Sequence, residues 1–246
     1  MTSHQKRERH LLVPLYVYPG TDPGAWDGVA ARADDVAWVV FNPASGPGAA
    51  PQPEFAEAAA TLRAAGIPLL GYVDTDYAGR GHHEVVADIE RYQEWYPVDG
   101  VFLDQAGSGA ALLPYYRRLS VAARSLEARQ VVLNPGVHPD PGYAEIADVL
   151  ITFEGAWDTY RQLRTPDWTE GFPPQRFGHL VHSAPPDACG LVAEVARDHG
   201  AAYSYATPGA GGNPWAVVMP QLRPLRPGGG AGAPWGAAAM CCGDLR

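Results

Sequence analysis

The sequence predicts a single α/β domain folded as a (β/α)8 TIM barrel, and two observations lead to this prediction. The chain has 246 residues, a length that such a barrel commonly occupies as one domain. Eight short apolar segments alternate with Ala-rich helical segments or long connections, and near-continuous apolar runs are typical of parallel strands buried on both faces. A doubly wound open sheet is the alternative, which the lack of a Gly-rich fingerprint after the first strand disfavours.

Each predicted strand is an apolar run that ends at a polar or aromatic residue. Gly- or Pro-containing segments follow most of these ends and interrupt the strand there. In chain order the strands are LLVPLYVY ending at Tyr18, VAWVVFN ending at Asn42, IPLLGYVD ending at Asp74, DGVFLD ending at Asp104, QVVLN ending at Asn134, DVLITFE ending at Glu154, RFGHLVH ending at His182, and AAYSYA ending near Tyr205.

The segments between the strands have helical composition and recognisable stop signals. Gly66 and Pro97 each follow a predicted helix, because glycine favours the position after a helix and proline disfavours helical geometry before it. The predicted helices cover residues 54–65, 82–96, 110–129 and 187–199, with short helical turns at 143–147 and in NPWAVVMPQL.

Three regions follow from this pattern. Residues 11–222 form the barrel, and residues 1–10 are a polar, basic N-terminal segment. Residues 223–246 are rich in Gly, Ala and Pro, so we expect them to bury little surface and to be flexible.

Composition restricts the classes of partner. The content of hydrophobic residues is 46% and the net charge is -9, so the sequence predicts a folded core and no nucleic-acid partner. No apolar run has the length of a signal peptide or a membrane span, which predicts a cytoplasmic protein, or a secreted one if a leader has been removed. The three cysteines show no zinc or disulfide spacing, and we predict no cofactor and no metal. The oligomeric state stays open.

The polar strand ends are the candidate functional residues. The carboxyl ends of barrel strands meet at one mouth, where the active sites of barrel enzymes lie. Three of the eight ends are acids, namely Asp74, Asp104 and Glu154. A single acid at a strand end is often only a helix cap, but eight polar ends together favour a binding site.

Asp104 and Glu154 are the candidate catalytic pair. One strand separates theirs, so their backbones should lie roughly 10 Å apart. Inward-leaning side chains could then reach the range of about 5 to 9.5 Å that glycosidase acid pairs use. One carboxyl group would protonate the leaving oxygen, and the other would act as a nucleophile or activate water. The sequence leaves retention and inversion both open.

Aromatic residues in or near the strand ends favour a sugar ligand, because pyranose rings stack their C–H faces on aromatic planes. Other aromatic residues could instead pack in the core, and core packing suits Trp38 and Trp95, and also Tyr16 among the candidates, better. The candidates are Tyr16, Tyr18, Trp26, Tyr72, Tyr77, Trp157, Tyr160, Tyr205 and Trp215.

Seven motifs together resemble those of spherulin-4-like proteins, the spherulation-specific family 4. They are VPLYVYPG, FNPASGPG, GYVDTDYAGR, DGVFLDQ, VVLNPG, ITFEG and HLVHS. The resemblance extends from about Leu12 to about Leu222. It implies a (β/α)8 barrel related to glycoside hydrolases of α-1,4-linked galactosamine or N-acetylgalactosamine polymers. It also implies catalytic roles for Asp104 and Glu154, with Asp74, Asn42 and Asn134 in the substrate cleft.

Gln105 departs from the family pattern, which has a second acid after Asp104. Consecutive side chains on a strand face opposite ways, so Gln105 points as Asp104 does only if the strand has already ended. An amide can hydrogen-bond a sugar but cannot exchange a proton. A weakened enzyme or a sugar-binding remnant is therefore one alternative.

The leading hypothesis is a glycosidase acting on an α-linked galactosamine or N-acetylgalactosamine polysaccharide. Glu154 would be the nucleophile or stabilising carboxylate and Asp104 the general acid/base, with exchangeable roles. One alternative is a cytosolic lyase or cyclase that uses the same acids on a small metabolite. Another is a non-catalytic carbohydrate-binding or cell-surface protein. The predicted sugar-binding residues are Tyr18, Asn42, Asp74, Gln105, Asn134, His182 and Tyr205.

Overall fold

The computed structural model describes residues 9–223, and its eight strands form one closed parallel barrel. Each strand pairs with the next along the chain, and β8 pairs with β1. This confirms the predicted (β/α)8 barrel. The strands are β1 (Leu11–Leu15), β2 (Val36–Phe41), β3 (Leu69–Asp74), β4 (Gly100–Asp104), β5 (Gln130–Leu133), β6 (Val149–Ala156), β7 (Phe177–His182) and β8 (Tyr203–Ala206).

Six α-helices of the described residues surround the barrel, and three of the connections are reduced. Only 3₁₀ turns follow β5 and β8, and the helix after β6 is a single turn. None of the helices in residues 9–223 is both long and apolar enough to span a membrane. The helices are α1 (Pro23–Ala30), α2 (Pro53–Ala64), α3 (His82–Trp95), α4 (Leu113–Ser125), α5 (Trp157–Tyr160) and α6 (Val192–Asp198).

Helix α1 was not predicted, because its sequence PGAWDGVA contains a proline and two glycines. A cap and burial compensate for that poor propensity. The Asp22 carboxylate accepts the Ala25 N–H at 3.1 Å, and Trp26 and Val29 are buried. Tertiary packing therefore decides this helix rather than composition.

Several predicted boundaries were wrong. Strand β1 ends at Leu15 rather than at Tyr18, and β6 continues past Glu154 to Ala156. The helix predicted over 110–129 is a 3₁₀ turn followed by α4, which ends at Ser125. The helix predicted over 187–199 is regular only in α6.

Buried tyrosines tie the outer helices to the backbone around the barrel. The Tyr92 hydroxyl of α3 donates to the Phe41 carbonyl at the end of β2, 3.0 Å away. The Tyr116 hydroxyl of α4 accepts the Gly107 N–H at 2.7 Å and bonds the Thr75 hydroxyl at 3.1 Å. These bonds satisfy polar groups in a buried layer, where an unpaired group would be costly, and they fix the loops after β3 and β4.

The two predicted terminal regions fall mostly outside the described residues. Of the N-terminal segment, only Arg9 and His10 are described, and Arg9 donates to the Gly66 carbonyl at 2.8 Å. Of the segment 223–246, only Arg223 is described, and it forms an ion pair with Asp22 at 3.2 Å.

Folding stability should fall below about pH 6.5 because of His179, which is 1% exposed. Its ring bonds the Tyr160 hydroxyl at 2.9 Å and the Thr152 hydroxyl at 3.2 Å. Burial, with smaller effects of two nearby histidines, lowers its pKa to about 3. His179 takes up a proton near pH 6.5 in the unfolded chain but stays neutral in the folded chain until about pH 3. The stability that neutral His179 contributes is therefore fully present above about pH 6.5 and shrinks as pH falls towards 3.

We expect His179 to remove about 2 kcal/mol between pH 7 and pH 5. The measurement is the free energy of unfolding by denaturant at both pH values, for wild type and His179→Asn. The variant should be less stable at pH 7 and should lose about 2 kcal/mol less on acidification. Equal losses in the two proteins would show that His179 does not carry this dependence.

Candidate active site

Asp104 and Glu154 come together at the barrel mouth through a shared amide. The side-chain nitrogen of Asn134 donates to Asp104 at 2.6 Å and also to Glu154. Asn134 is 5% exposed, and its side-chain oxygen accepts the Gly136 N–H at 3.1 Å, which fixes the amide orientation. Two oxygens that share one amide nitrogen lie within about 5 Å of each other.

A bulge in β6 directs Glu154 into the mouth. In the register with β7, Ile151 pairs with Gly178 and Glu154 pairs with Leu180. Gly178 and Leu180 lie two residues apart and share a face, so their partners share a face although they lie three residues apart. Strict alternation from Ile151 would point Glu154 to the opposite face of the strand. The extra residue of the bulge shifts the alternation by one, so Glu154 points inward.

Asp104 is the last residue of β4 and is held by three donors. Besides Asn134, the Tyr72 hydroxyl and the Gln105 backbone N–H donate to its carboxylate. Tyr72 lies on β3, next to β4 in the barrel and opposite Phe102 in the register. All three donors stabilise the ionised form of Asp104.

The two carboxyl groups have different electrostatic environments. Burial first, and then the charge of Asp104, raise the pKa of Glu154 to about 7, against weaker opposing bonds from Asn134 and the Trp215 indole N–H. Burial also raises the pKa of Asp104, while the bonds from Tyr72, Asn134 and Gln105 oppose the rise. Glu154 is therefore the better proton carrier of the pair near neutral pH.

The pair lies where two lobes of one cleft meet. The first lobe has a volume of about 650 Å³, and the loops after β1, β2 and β8 contribute most of its walls. The second lobe has a volume of about 530 Å³ and lies against the loops after β3, β4 and β5. Asp104, Glu154 and His182 border both lobes.

The structure brings most of the predicted sugar-binding residues to this cleft. Tyr18 and Asn42 line the first lobe, Gln105 and Asn134 line the second, and His182 lines both. Gln105 reaches the mouth because β4 has ended at Asp104 and Gln105 has a left-handed backbone with φ of 48°.

Two predicted residues behave differently. Asp74 pairs with Asp104 in the register and raises its pKa, but it lines neither lobe, and its carboxylate accepts the Asp76 N–H at 2.8 Å. Tyr205 is 1% exposed, and its hydroxyl accepts the Met219 N–H at 2.8 Å. The prediction that Tyr205 contacts a sugar is therefore corrected to a packing role.

Two donors to the carboxylates were missed as polar site residues. Tyr72 has a signal in the sequence, since it lies two residues before Asp74 on one strand and so shares its face. Trp215 has none, because it follows a Gly-rich loop after β8 whose path depends on tertiary packing.

A closed parallel barrel with a partly buried carboxylate pair in a two-lobed, aromatic-lined mouth places this molecule among glycoside hydrolase-like barrels. Within that class, the chain belongs to Spherulation-specific family 4, whose sequence model matches residues 10–223. This confirms the resemblance found in the motifs.

Individual relatives agree with this assignment. The chain is 40% identical to Spherulin-4 from Physarum polycephalum over 151 residues, which cover 59% of this chain and 45% of that protein. It is 30% identical to Sph3 from Aspergillus clavatus, crystallised with GalNAc, with a TM-score of 0.73 over 87% of this chain and 94% of Sph3. A chitinase from Rhizomucor miehei, 10% identical with a TM-score of 0.50 over 87% of this chain and 99% of that one, shares only the fold.

Proposed function

We propose that this protein hydrolyses an α-linked polysaccharide of N-acetylgalactosamine or galactosamine. The observation that carries the proposal is the Asp104–Asn134–Glu154 bridge at the junction of the two lobes. A carboxyl pair with one member protonated near neutral pH is the arrangement that glycosidic cleavage needs.

The electrostatics favour Glu154 as the general acid and Asp104 as the nucleophile. In the hypothesis from sequence, Glu154 comes first as the nucleophile or stabilising carboxylate and Asp104 as the general acid/base, with exchangeable roles. The electrostatics favour the exchanged roles. Glu154 has its pKa raised to about 7, so it can carry the proton that the leaving oxygen takes. The donors Tyr72 and Asn134 favour the ionised form of Asp104, which a nucleophile needs, and oppose the rise in its pKa that burial causes.

The short separation of the two carboxyl groups supports a retaining mechanism. Oxygens no more than about 5 Å apart fit retaining enzymes, whereas inverting enzymes need about 6.5 to 9.5 Å to admit a water molecule. Asp104 would form the glycosyl-enzyme bond as Glu154 protonates the departing oxygen. Glu154 would then deprotonate the water that hydrolyses this bond.

The cleft supports a polymer substrate without negative charge. It extends to both sides of the carboxyl pair, so sugar units can bind before and after the cleaved bond. Neither Lys nor Arg lines the two lobes described, and the two acids would repel a polyanionic sugar chain. The similarity to Sph3, which binds GalNAc in its crystal structure, supports the amino sugar.

The presence of Gln105 in place of the family's acid is compatible with the proposed catalytic pair. Its backbone N–H donates to Asp104, and its carbonyl accepts from Thr75 and Tyr77 at 2.9 and 2.8 Å. The amide side chain is free to contact a sugar in the second lobe, so replacement of the family's acid leaves the Asp104–Glu154 pair intact.

The test is release of reducing ends from α-linked N-acetylgalactosamine and galactosamine polymers, with a neutral α-glucan as comparison. We expect wild type to cleave an amino-sugar polymer, and Asp104→Asn and Glu154→Gln each to lose at least about a hundredfold in kcat. Glu57→Gln is the matched control, because Glu57 lies on the exposed face of α2. Binding without turnover in wild type would support a lectin-like protein instead, and equal traces of product from all four proteins would exclude hydrolysis by this pair.

A further inference from the structure

We propose that Tyr77 is a sugar-stacking platform in the second lobe, which binds a pyranose unit of the polymer beyond the residues that contact the carboxyl pair. This inference rests on the proposed function, because it assigns a distal subsite to the same cleft. Four observations support it: the exposure of the ring, its strained backbone, the bonds that hold it, and the chemistry around it.

Tyr77 is unusually exposed for an aromatic residue. Its exposed fraction is 59%, the largest among the exposed tyrosines of residues 9–223, and it lines the second lobe. Its ring makes no stacking or edge contact with another aromatic ring in the described part of the chain. Packing therefore does not account for the ring, whose area is available to a ligand.

The backbone that presents Tyr77 is strained. Asp76, Tyr77 and Ala78 have φ angles of 46°, 51° and 71°, so three consecutive residues with side chains adopt the left-handed conformation. That conformation crowds the Cβ atom against the backbone and costs free energy at each position, most clearly for a bulky residue such as Tyr77. Such strain persists where the surrounding structure imposes it, and it concentrates at ligand sites.

Strain of this kind is concentrated at the mouth. Six of the seven residues other than glycine with positive φ in residues 9–223 lie in loops that leave the carboxyl ends of strands, and Glu127 at the end of α4 is the seventh. The six are Ser45, Asp76, Tyr77, Ala78, Gln105 and Ser183.

Hydrogen bonds connect the segment 75–80, which contains Tyr77, to the ends of β3 and β4. The Tyr77 N–H donates to the Gln105 carbonyl at 2.8 Å. The Thr75 hydroxyl donates to the carbonyls of Asp104 and Gln105, each at 2.9 Å. An Arg80 side-chain nitrogen donates to the Asp74 carbonyl at 2.7 Å. The position of Tyr77 is thus fixed relative to Asp104, which is what a subsite at a set distance from the cleaved bond requires.

The surroundings of Tyr77 match the two chemistries of a sugar ring. Val137, which is 53% exposed, and Pro135 add apolar surface to the second lobe. Gln105 and Asn134 add amide groups to the same lobe. A pyranose unit could stack its C–H face on Tyr77 while its hydroxyl or acetamide groups bond an amide.

The test compares α-linked N-acetylgalactosamine and galactosamine oligosaccharides of increasing length. Tyr77→Ala should lower kcat/KM about tenfold for oligosaccharides long enough to reach the second lobe. Most of that loss should lie in KM, and the shortest cleaved substrate should be affected less. Tyr77→Phe, which keeps the ring, should stay within about twofold of wild type. Val121→Ala is the surface control, since Val121 lies exposed on α4.

Calorimetric binding to the Glu154→Gln protein, with and without Tyr77→Ala, distinguishes the two proposals. Length-dependent binding that falls about tenfold without the ring supports the platform, even if wild type does not cleave the sugar. Cleavage by wild type with equal kinetics and binding for Tyr77→Ala would overturn the platform and leave the hydrolase proposal standing. Failure of wild type to bind or cleave any of the sugars would overturn both.

Discussion

Azide is expected to rescue Asp104→Ala and Glu154→Ala with opposite stereochemistry. Each variant should lose roughly a thousandfold or more in kcat on the natural polymer. In Asp104→Ala, azide can occupy the space of the lost nucleophile and attack the sugar from that side, which gives a glycosyl azide of inverted configuration. In Glu154→Ala, Asp104 still forms the glycosyl-enzyme bond on a substrate with a good leaving group. Azide then attacks from the opposite side and gives the retained configuration.

The configuration of the azide product therefore assigns the two roles directly. The measurement is NMR of the anomeric proton, with wild type and the exposed-face variant Glu57→Gln as controls that should form no glycosyl azide. Inverted product from Glu154→Ala and retained product from Asp104→Ala would reverse the assignment. Inverted sugar released by wild type without azide would rule out the retaining mechanism itself.

The sequence predicts the barrel well because its strands are buried on both faces. An apolar run such as VFLD needs no partner to be recognised, and the residue that ends it must lie at the mouth once the barrel closes. For this reason Asp104, Asn134 and His182 could be placed from sequence, since their strands end at them or at the preceding residue.

Glu154 shows the limit of that reasoning. It was predicted as a strand end, but β6 continues to Ala156, and the bulge near Thr152 decides which way the carboxylate points. A bulge depends on pairing with β7, so a single segment carries no sign of it. The role of Trp215 and the presence of helix α1 could not be predicted for the same reason. Both depend on long-range packing, which outweighs weak local preferences.

The backbone conformation of Gln105 changes the interpretation of this residue. The alternation rule predicts that it faces away from Asp104, but the strand ends at Asp104 and the left-handed backbone of Gln105 releases it from that rule. Its backbone N–H supports the Asp104 carboxylate, and any residue with a backbone N–H could do this. The side chain is therefore free to vary without disturbing the proposed nucleophile.

Asn134→Ala is expected to shift the whole pH dependence of cleavage and to lower kcat about a hundredfold. In wild type, kcat/KM should rise as Asp104 ionises and fall as Glu154 loses its proton near pH 7, since burial raises its pKa to about 7. The Asn134 amide donates to both carboxylates and so favours both ionised forms. Its removal should raise both pKa values, and both limbs of the profile should move to higher pH.

Asn42→Ala is the matched amide control for this shift. The Asn42 side-chain oxygen accepts the Gly46 N–H at 2.9 Å in the first lobe, and no bond joins it to either carboxylate. Its loss should change KM and leave the limbs in place, because a neutral amide with no bond to either carboxylate has little effect on the proton affinity of the pair. If Asn134→Ala lowered kcat with both limbs unmoved, the amide would only position a sugar. If the limbs moved to lower pH, the amide would favour the protonated pair, and the assignment of an ionised Asp104 beside a protonated Glu154 would fail.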